Sequence, residues 1–243
     1  AHDKNFEEWK ESLEDLGYFN QFYVLNSNNF GMPQVRKRAY LISIYVGKDK
    51  HVKKRLEKYF KENPLDNRTV RMPKPLKEFL RLDYSNELLR HEANDSQPND
   101  TPSRQTIFNN NVKLFDGSNY SVHVPTITTK QDRHPNAGVI TYINDRPNKG
   151  NFRYLTGREC LLLMGFDDKD YESIMAGNFK KNVAEDFFAN TKIVKMAGNS
   201  IVVPVLEEIF KQLLFVDQHI LSRVSKLEEN KSKQLLNELS FAA

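Results

Sequence analysis

One stretch constrains this chain more than any other: NFGMPQVRKRAYLISIY, Asn29 to Tyr45. Its second half, AYLISIY, is apolar and rich in β-formers, and reads as a buried strand. Its first half, PQVRKR, sets Gln34, Arg36 and Arg38 at alternate positions. Alternate residues of an extended backbone point to the same side. An amide and two guanidiniums are therefore expected on one face, where a core strand begins. Pro33 restricts Met32 to extended or turn geometry and helps hold that start in place. Guanidiniums present a fixed fork of donors, suited to phosphate, carboxylate or a carbonyl oxygen. A solvated basic edge would use the same residues, and the stretch alone does not separate the two.

The remaining bulk properties narrow the class. A chain of 243 residues makes one large domain or two small ones. With 39% hydrophobic and 28% charged residues, it suits a globular protein that stays in water. The net charge of +4 is a mild basic excess, compatible with nucleic acid. Cys160 is the single cysteine, which excludes a disulfide framework and points to a reducing, cytoplasmic compartment. No apolar run approaches the roughly 20 residues that span a bilayer, so no membrane association is expected. The opening AHDKNFEEWK is acidic and aromatic, unlike a signal peptide. No repeat and no metal-ligand set stands out.

Along the chain, Phe6, Trp9, Leu13 and Leu16 recur at helical spacing and predict a helix over 4–16, stopped by Gly17. FYVLN predicts a short strand, and SNNFG a turn into the Asn29–Tyr45 stretch. Lys50 to Lys61 predicts a basic helix, Asn63 to Pro75 a loop, and Leu76 to Leu89 another helix. HEANDSQPNDTPSRQ, His91 to Gln105, predicts a mobile surface loop. Short β-like runs follow: VKLF, YSVHV, TITT and VITYI. TGRECLLLMGF predicts a helix with Thr156 as N-cap, Glu159 as its capping-box partner and Gly165 at its end. A Gly-Asn-Ser turn then leads into a long amphipathic helix or pair from Ile201, and the tail from Leu227 predicts loosely packed helix.

Three of these stretches, in this order, resemble the last conserved blocks of the DNA (cytosine-5) methyltransferase family. They are NFGMPQVRKRAYLISI, RYLTGRECLLLMGFDDKDY and AGNSIVVPVLEEI, with about a hundred variable residues between the first two. HDKNFEEWKESLEDLGYFNQFYVLNS resembles the helix and strand before the first block. The resemblance implies an α/β fold: part of a Rossmann-like catalytic domain plus a small strand- and loop-rich target-recognition domain. Residues 1–46 and 153–243 would belong to the catalytic domain, and 47–152 would be the recognition domain. It also implies double-stranded DNA as partner, a flipped cytosine, and methyl transfer to C5 from S-adenosylmethionine.

The departures from the family pattern matter as much. The sequence holds no Pro-Cys pair, the family's nucleophile block, and no glycine-rich cofactor block or Glu-Asn-Val block. The chain is thus expected to be the C-terminal part of such an enzyme and inactive alone. The N-terminal half would be its partner, and would hold most of the S-adenosylmethionine. Isolated, the chain is expected to expose an apolar seam and self-associate. A bacterial-type protein associated with the nucleoid is implied. A stand-alone DNA-binding module, or an interaction protein without methyl transfer, are the rival readings.

By motif, Arg38 resembles the arginine that reaches the cytosine O2, Arg36 its partner bracing the catalytic acid, and Gln34 a polar support. Gly198, Asn199 and Ser200 resemble the turn that closes over S-adenosylmethionine. Asn and Ser are also good helix caps. Thr126 and Ile127 resemble the threonine-aliphatic pair near the flipped nucleotide. Lys130, Gln131, Arg133, His134 and Asn136 follow as candidate DNA contacts, since Arg and Lys suit guanine or phosphate and Gln and Asn suit adenine. A solvated loop is the alternative. Lys53, Lys54, Arg55 and Lys58 could track phosphate or form a wet helix face. Arg153 and Arg158 could brace domains or touch phosphate. Cys160 is expected to be a packed core thiol.

Overall fold

The helix predicted at the start is α1, His2–Asp15. Gly17 ends it at φ +93°, a left-handed conformation that glycine adopts without strain. A Cβ there would meet the Gly47 Cα at 3.0 Å, so the two glycines also let the chain close on itself. Strands β1 (Tyr18–Asn26) and β2 (Lys37–Tyr45) follow and pair as a two-stranded sheet. Asp49 caps the next helix, α2 (Lys50–Glu62), accepting the His51 and Val52 amides at 2.8 and 3.0 Å. Val52, Leu56 and Phe60 repeat every four residues and are its buried stripe. This computed structural model describes residues 2–66, 68–183 and 185–222. The predicted helical tail from Leu227 lies outside the described residues.

Two sequence expectations fail after α2. The helix over 76–89 is a short 3-10 turn, Leu76–Glu78, followed by irregular chain. Asp83 gathers the Ser85 amide and hydroxyl at 3.1 and 2.5 Å, and Asn86 accepts from Leu88 and Leu89. Those local side-chain bonds compete with a continuous helix and start a new one at α3, Glu87–Asp95. The loop over 91–105 is likewise ordered. It holds the end of α3, a buried Ser96-Gln97-Pro98 segment, and the start of α4 (Pro102–Asn110), with Pro102 in its first turn.

Of the β-like runs, β3 (Lys113–Phe115) and β4 (Val139–Thr141) pair in parallel, and β5 (Phe152–Arg153) adds antiparallel to β4. YSVHV and TITT are not regular strands. Instead the Val124 backbone bridges Pro33-Gln34-Val35, with Val35 N–H to Val124 O at 2.8 Å. Helix α5 (Gly157–Leu162) carries the predicted capping box of Thr156 and Glu159, and Gly165 turns the chain at φ +92°. Then come α6 (Asp168–Ala176), a β6–β7 hairpin (Lys180–Asn182, Glu185–Asp186), α7 (Asn190–Asn199) and α8 (Val203–Val216).

The chain falls into two compact units. The first combines Ala1–Leu25, Arg38–Arg68 and Glu207–Ala243 as far as these are described; the second combines Asn26–Lys37 and Thr69–Leu206. In the first, Phe60 stacks on Phe19 at 5.6 Å, and Gln212 links the Tyr23 hydroxyl to the Asn63 carbonyl. The basic face of α2 is partly spent here, Arg55 donating to the His219 and Ile220 carbonyls. Trp9, Phe22 and Val24 remain exposed at 52%, 41% and 52%, so the apolar seam is incompletely covered by this unit. The second unit contains the rest of the core, with Leu114, Val139, Ile140, Leu155, Leu163 and Met164 fully buried. Among the described residues, no helix is long and apolar enough to cross a membrane.

Candidate functional site

The polar centre of the second unit is built on the stretch that constrained the sequence most. Gln34 is fully buried, and both ends of its amide are used. Its Oε1 accepts the Ile127 N–H at 2.9 Å; its Nε2 donates to the Leu163 carbonyl at 3.0 Å and to Met164 Sδ at 3.4 Å. Arg36, 5% exposed, donates from Nη1 to the Ile127 carbonyl at 2.8 Å. Its Nη2 reaches the Gly198 and Ser200 carbonyls at 3.0 and 3.2 Å. A buried cation needs such donors' partners to offset its lost hydration. Two side chains thus tie residues 33–36, Thr126-Ile127, the end of α5 and the Gly-Asn-Ser turn into one knot.

The three residues expected on one face differ in burial. Gln34 and Arg36 are buried, whereas Arg38 lies exposed in β2. Residues 33–36 bridge to Val124, and the regular strand begins at Lys37. Ile42 and Ile44, on the same alternation, are buried again, so Arg38 is the charged residue of that series left exposed. Asn26, which the sequence reading did not single out, pins this segment: its Oδ1 accepts the Arg36 amide at 3.0 Å and the Asn28 amide at 3.4 Å. An asparagine ending a strand just before Ser-Asn-Asn was the signal available.

The Gly-Asn-Ser turn closes α7. Ser200 is a C-cap, its hydroxyl donating to the Ala197 carbonyl at 2.9 Å, rather than the N-cap its residue type suggests. A Cβ on Gly198 would sit 2.6 Å from the Thr128 carbonyl carbon and oxygen and from the Thr129 nitrogen. The glycine therefore serves close approach to this chain's own backbone. Asn199 is exposed, and its amide makes no hydrogen bond to the described residues.

The candidate DNA contacts divide by burial. Lys130, Arg133 and His134 are exposed, with the His134 ring 3.0 Å from the Asn111 amide. Thr126 is half-buried and donates to the Val35 carbonyl. Ile127 is buried in the knot. Asn136 is buried too, holding the Gln131 carbonyl and the Gly138 amide at 2.7 and 2.8 Å. Ile127 and Asn136 thus spend their polar atoms inside the chain. Gln131 is buried, and neither of its side-chain polar atoms has a hydrogen-bond partner among the described residues.

Arg153 and Arg158 form ion pairs. Arg153 pairs in fork fashion with Glu159 at 2.7 and 2.8 Å, both side chains fully buried, and its Nε meets the Tyr84 hydroxyl. Arg158 holds Glu92 through Nε and Nη2 and Asp168 through Nη1 at 2.9 Å. Burial alone would raise the Glu159 carboxyl; Arg153 and the amides of Thr156 and Arg81 overcome it and hold the carboxyl below its ordinary value. Sequence reading missed Tyr84 and Glu92 because both lie where the secondary structure was read wrongly. Cys160 sits buried beside this lattice, and burial pushes its thiol well above the range of a reactive thiolate.

The family model for C-5 cytosine-specific DNA methylases matches residues 1–214. The chain belongs to that family. Among methylases of known sequence, it is 31% identical to the type II methyltransferase M2.ScrFI of Lactococcus lactis subsp. cremoris, over 87% of this chain and 50% of that protein. It is 30% identical to the orphan methyltransferase M.SssI of Spiroplasma monobiae, with the same coverage of both. The chain thus spans about half the length of these curated relatives. Its fold is the α/β fold of solved methyltransferases. It superposes on the S. pombe Dnmt2 methyltransferase with a TM-score of 0.51 at 18% identity, over 88% of this chain and 61% of that one. On the Entamoeba histolytica methyltransferase EhMeth the TM-score is 0.53 at 15% identity, over 88% and 58%.

Proposed function

We propose that this chain supplies DNA recognition and completes the active site of a DNA cytosine-5 methyltransferase, and that the nucleophile comes from a polypeptide segment outside it. The observation that carries this reading is the Gln34–Arg36 knot. It hydrogen-bonds together the three blocks that carry the methylase resemblance, and Thr126-Ile127 from the variable middle. Burial and full hydrogen bonding give Gln34 and Arg36 a positioning role. Arg38, exposed at the start of β2, is the residue that holds the flipped cytosine through its O2, where charge builds as the ring is attacked.

Residues 47–152 carry target recognition, with Lys130, Arg133 and His134 as exposed contacts to duplex DNA. S-adenosylmethionine supplies the methyl group when bound. The exposed Asn199 amide fits a role in holding it, while Gly198 and Ser200 shape the turn. Most of that cofactor's contacts, and the cysteine, belong to an N-terminal partner segment. This accords with relatives about twice as long as this chain, and with the exposed Trp9, Phe22 and Val24, which the partner would cover. Without it the chain self-associates through that seam. A cytoplasmic, nucleoid-bound location in a bacterial cell follows from this role.

Reconstitution tests the reading. The chain is mixed with a polypeptide carrying a Pro-Cys block from a related methylase, and labelled methyl transfer into duplex DNA is counted. Transfer is expected from the mixture and from neither part alone. Arg38→Ala should lower the rate roughly a hundredfold, the scale of losing one positioned donor. DNA binding by the chain with no transfer from any such mixture would favour a stand-alone DNA-binding module.

A further inference from the structure

Three buried side-chain polar atoms make no hydrogen bond among the described residues: Gln131 Nε2, Gln131 Oε1 and the Tyr154 hydroxyl. All three belong to residues lining one cavity of about 710 Å³ in the second unit. Gln131 is 6% exposed and Tyr154 7%. Elsewhere the described part of this chain pairs its buried side chains, including four charges around α5. A buried amide left unpaired costs stability and asks for an explanation. Burial raises the Tyr154 hydroxyl's pKa against the pull of nearby Arg104, which closes no well-formed hydrogen bond on it.

The walls add chemistry. The cavity is lined by five cations, Arg104, Lys130, Lys149, Lys192 and Lys195, against two acids, Asp95 and Asp132. Its volume is that of a small-ligand site. A glutamine amide presents a donor beside an acceptor, the complement of an adenine edge. Lysines serve phosphate as point charges.

We propose that this cavity binds a single nucleotide, adenine preferred, with its base edge on the Gln131 amide and its phosphate among the lysines. The Tyr154 hydroxyl supplies a further hydrogen bond at the base or sugar. The nucleotide is either one unit of a DNA strand, in which case the inference rests on the DNA reading above, or a free mononucleotide.

Calorimetric titration of the whole chain separates the sources. One arm uses the four nucleoside 5′-monophosphates, the other short single-stranded and duplex oligonucleotides. Saturable binding in either arm is expected, with Gln131→Leu weakening adenine-containing ligands roughly five- to a hundredfold and levelling the base preference. Gln131→Glu, which keeps the shape and loses the donor, should act alike; a thermal melt reports whether each variant folds. Lys195→Ala should weaken all bases equally. No saturable binding in either arm, or binding unmoved by folded Gln131 variants, overturns the inference. Duplex binding untouched by those variants overturns the cavity claim and leaves the DNA reading standing. Variant-sensitive mononucleotide binding without duplex binding does the reverse.

Discussion

Two buried polar clusters hold the second unit together, and they neutralise their arginines differently. Around α5, Arg153 and Arg158 meet carboxylates: Glu159, Glu92 and Asp168. In the knot, Arg36 meets the carbonyls of Ile127, Gly198 and Ser200, and Gln34 meets backbone and a thioether. Charge against charge makes a lattice that removal of one partner disrupts severely and acid loosens. Cation against carbonyls, with the Gln34 amide beside it, fixes where three separate backbone stretches lie. The first cluster is a device of stability, the second of placement.

The largest expected effect breaks the first cluster. Arg153→Met leaves Glu159 as an unpaired buried carboxylate, and should cost about 3–5 kcal/mol in urea unfolding. A loss under about 1 kcal/mol would mean the pair is wetter than its burial indicates. The knot should respond more gently. Gln34→Ala orphans the Ile127 amide and should cost about 1–3 kcal/mol, with faster hydrogen exchange at that amide. Gly198→Ala forces a methyl against the Thr128 carbonyl and should cost about 1–3 kcal/mol. If either variant leaves stability unchanged, the knot does not hold the stretches together.

Acid sharpens the contrast with a graded, smaller loss. Glu159 and Asp168 both titrate below their ordinary values of 4.5 and 3.8. Burial opposes this in both. Arg153 dominates the lowering at Glu159; Arg81 and Arg158 lower Asp168. Their contribution is therefore fully present above about pH 4.5, and is lost as the pH falls through the lowered folded values. Stability measured from pH 7 to 3 should fall on that acid side. In Arg153→Met the fall should be blunted; an unchanged profile would remove the ion pairs from the account.

Much of this was legible beforehand, and the rest has physical reasons. Strand, turn and helix from α1 to α2 followed from periodicity and two glycines. The Thr156–Glu159 capping box was readable because its chemistry is local. What Glu159 also does, neutralising a buried Arg153, was not, since pairing across a turn leaves no period. The stretch from Leu76 to Gln105 was misread because Asp83 and Asn86 side chains redirect the backbone, a competition that composition does not display. The exposure of Arg38, against the burial of Gln34 and Arg36, was not legible, since alternation sets a face and does not say what covers it. Gln131 was chosen for its base-reading chemistry. Its burial in a cavity with Tyr154 could come only from three dimensions.

In the proposed division of labour a cysteine outside this chain completes the chemistry, and Cys160 is a packed core thiol. A duplex containing fluorocytosine, incubated with S-adenosylmethionine, traps the attacking cysteine covalently. The adduct is expected only when a Pro-Cys polypeptide is added to the chain, and peptide mapping should place it on that polypeptide's cysteine. An adduct formed by the chain alone and mapped to Cys160 would contradict both the burial of that thiol and the division of labour proposed for the enzyme.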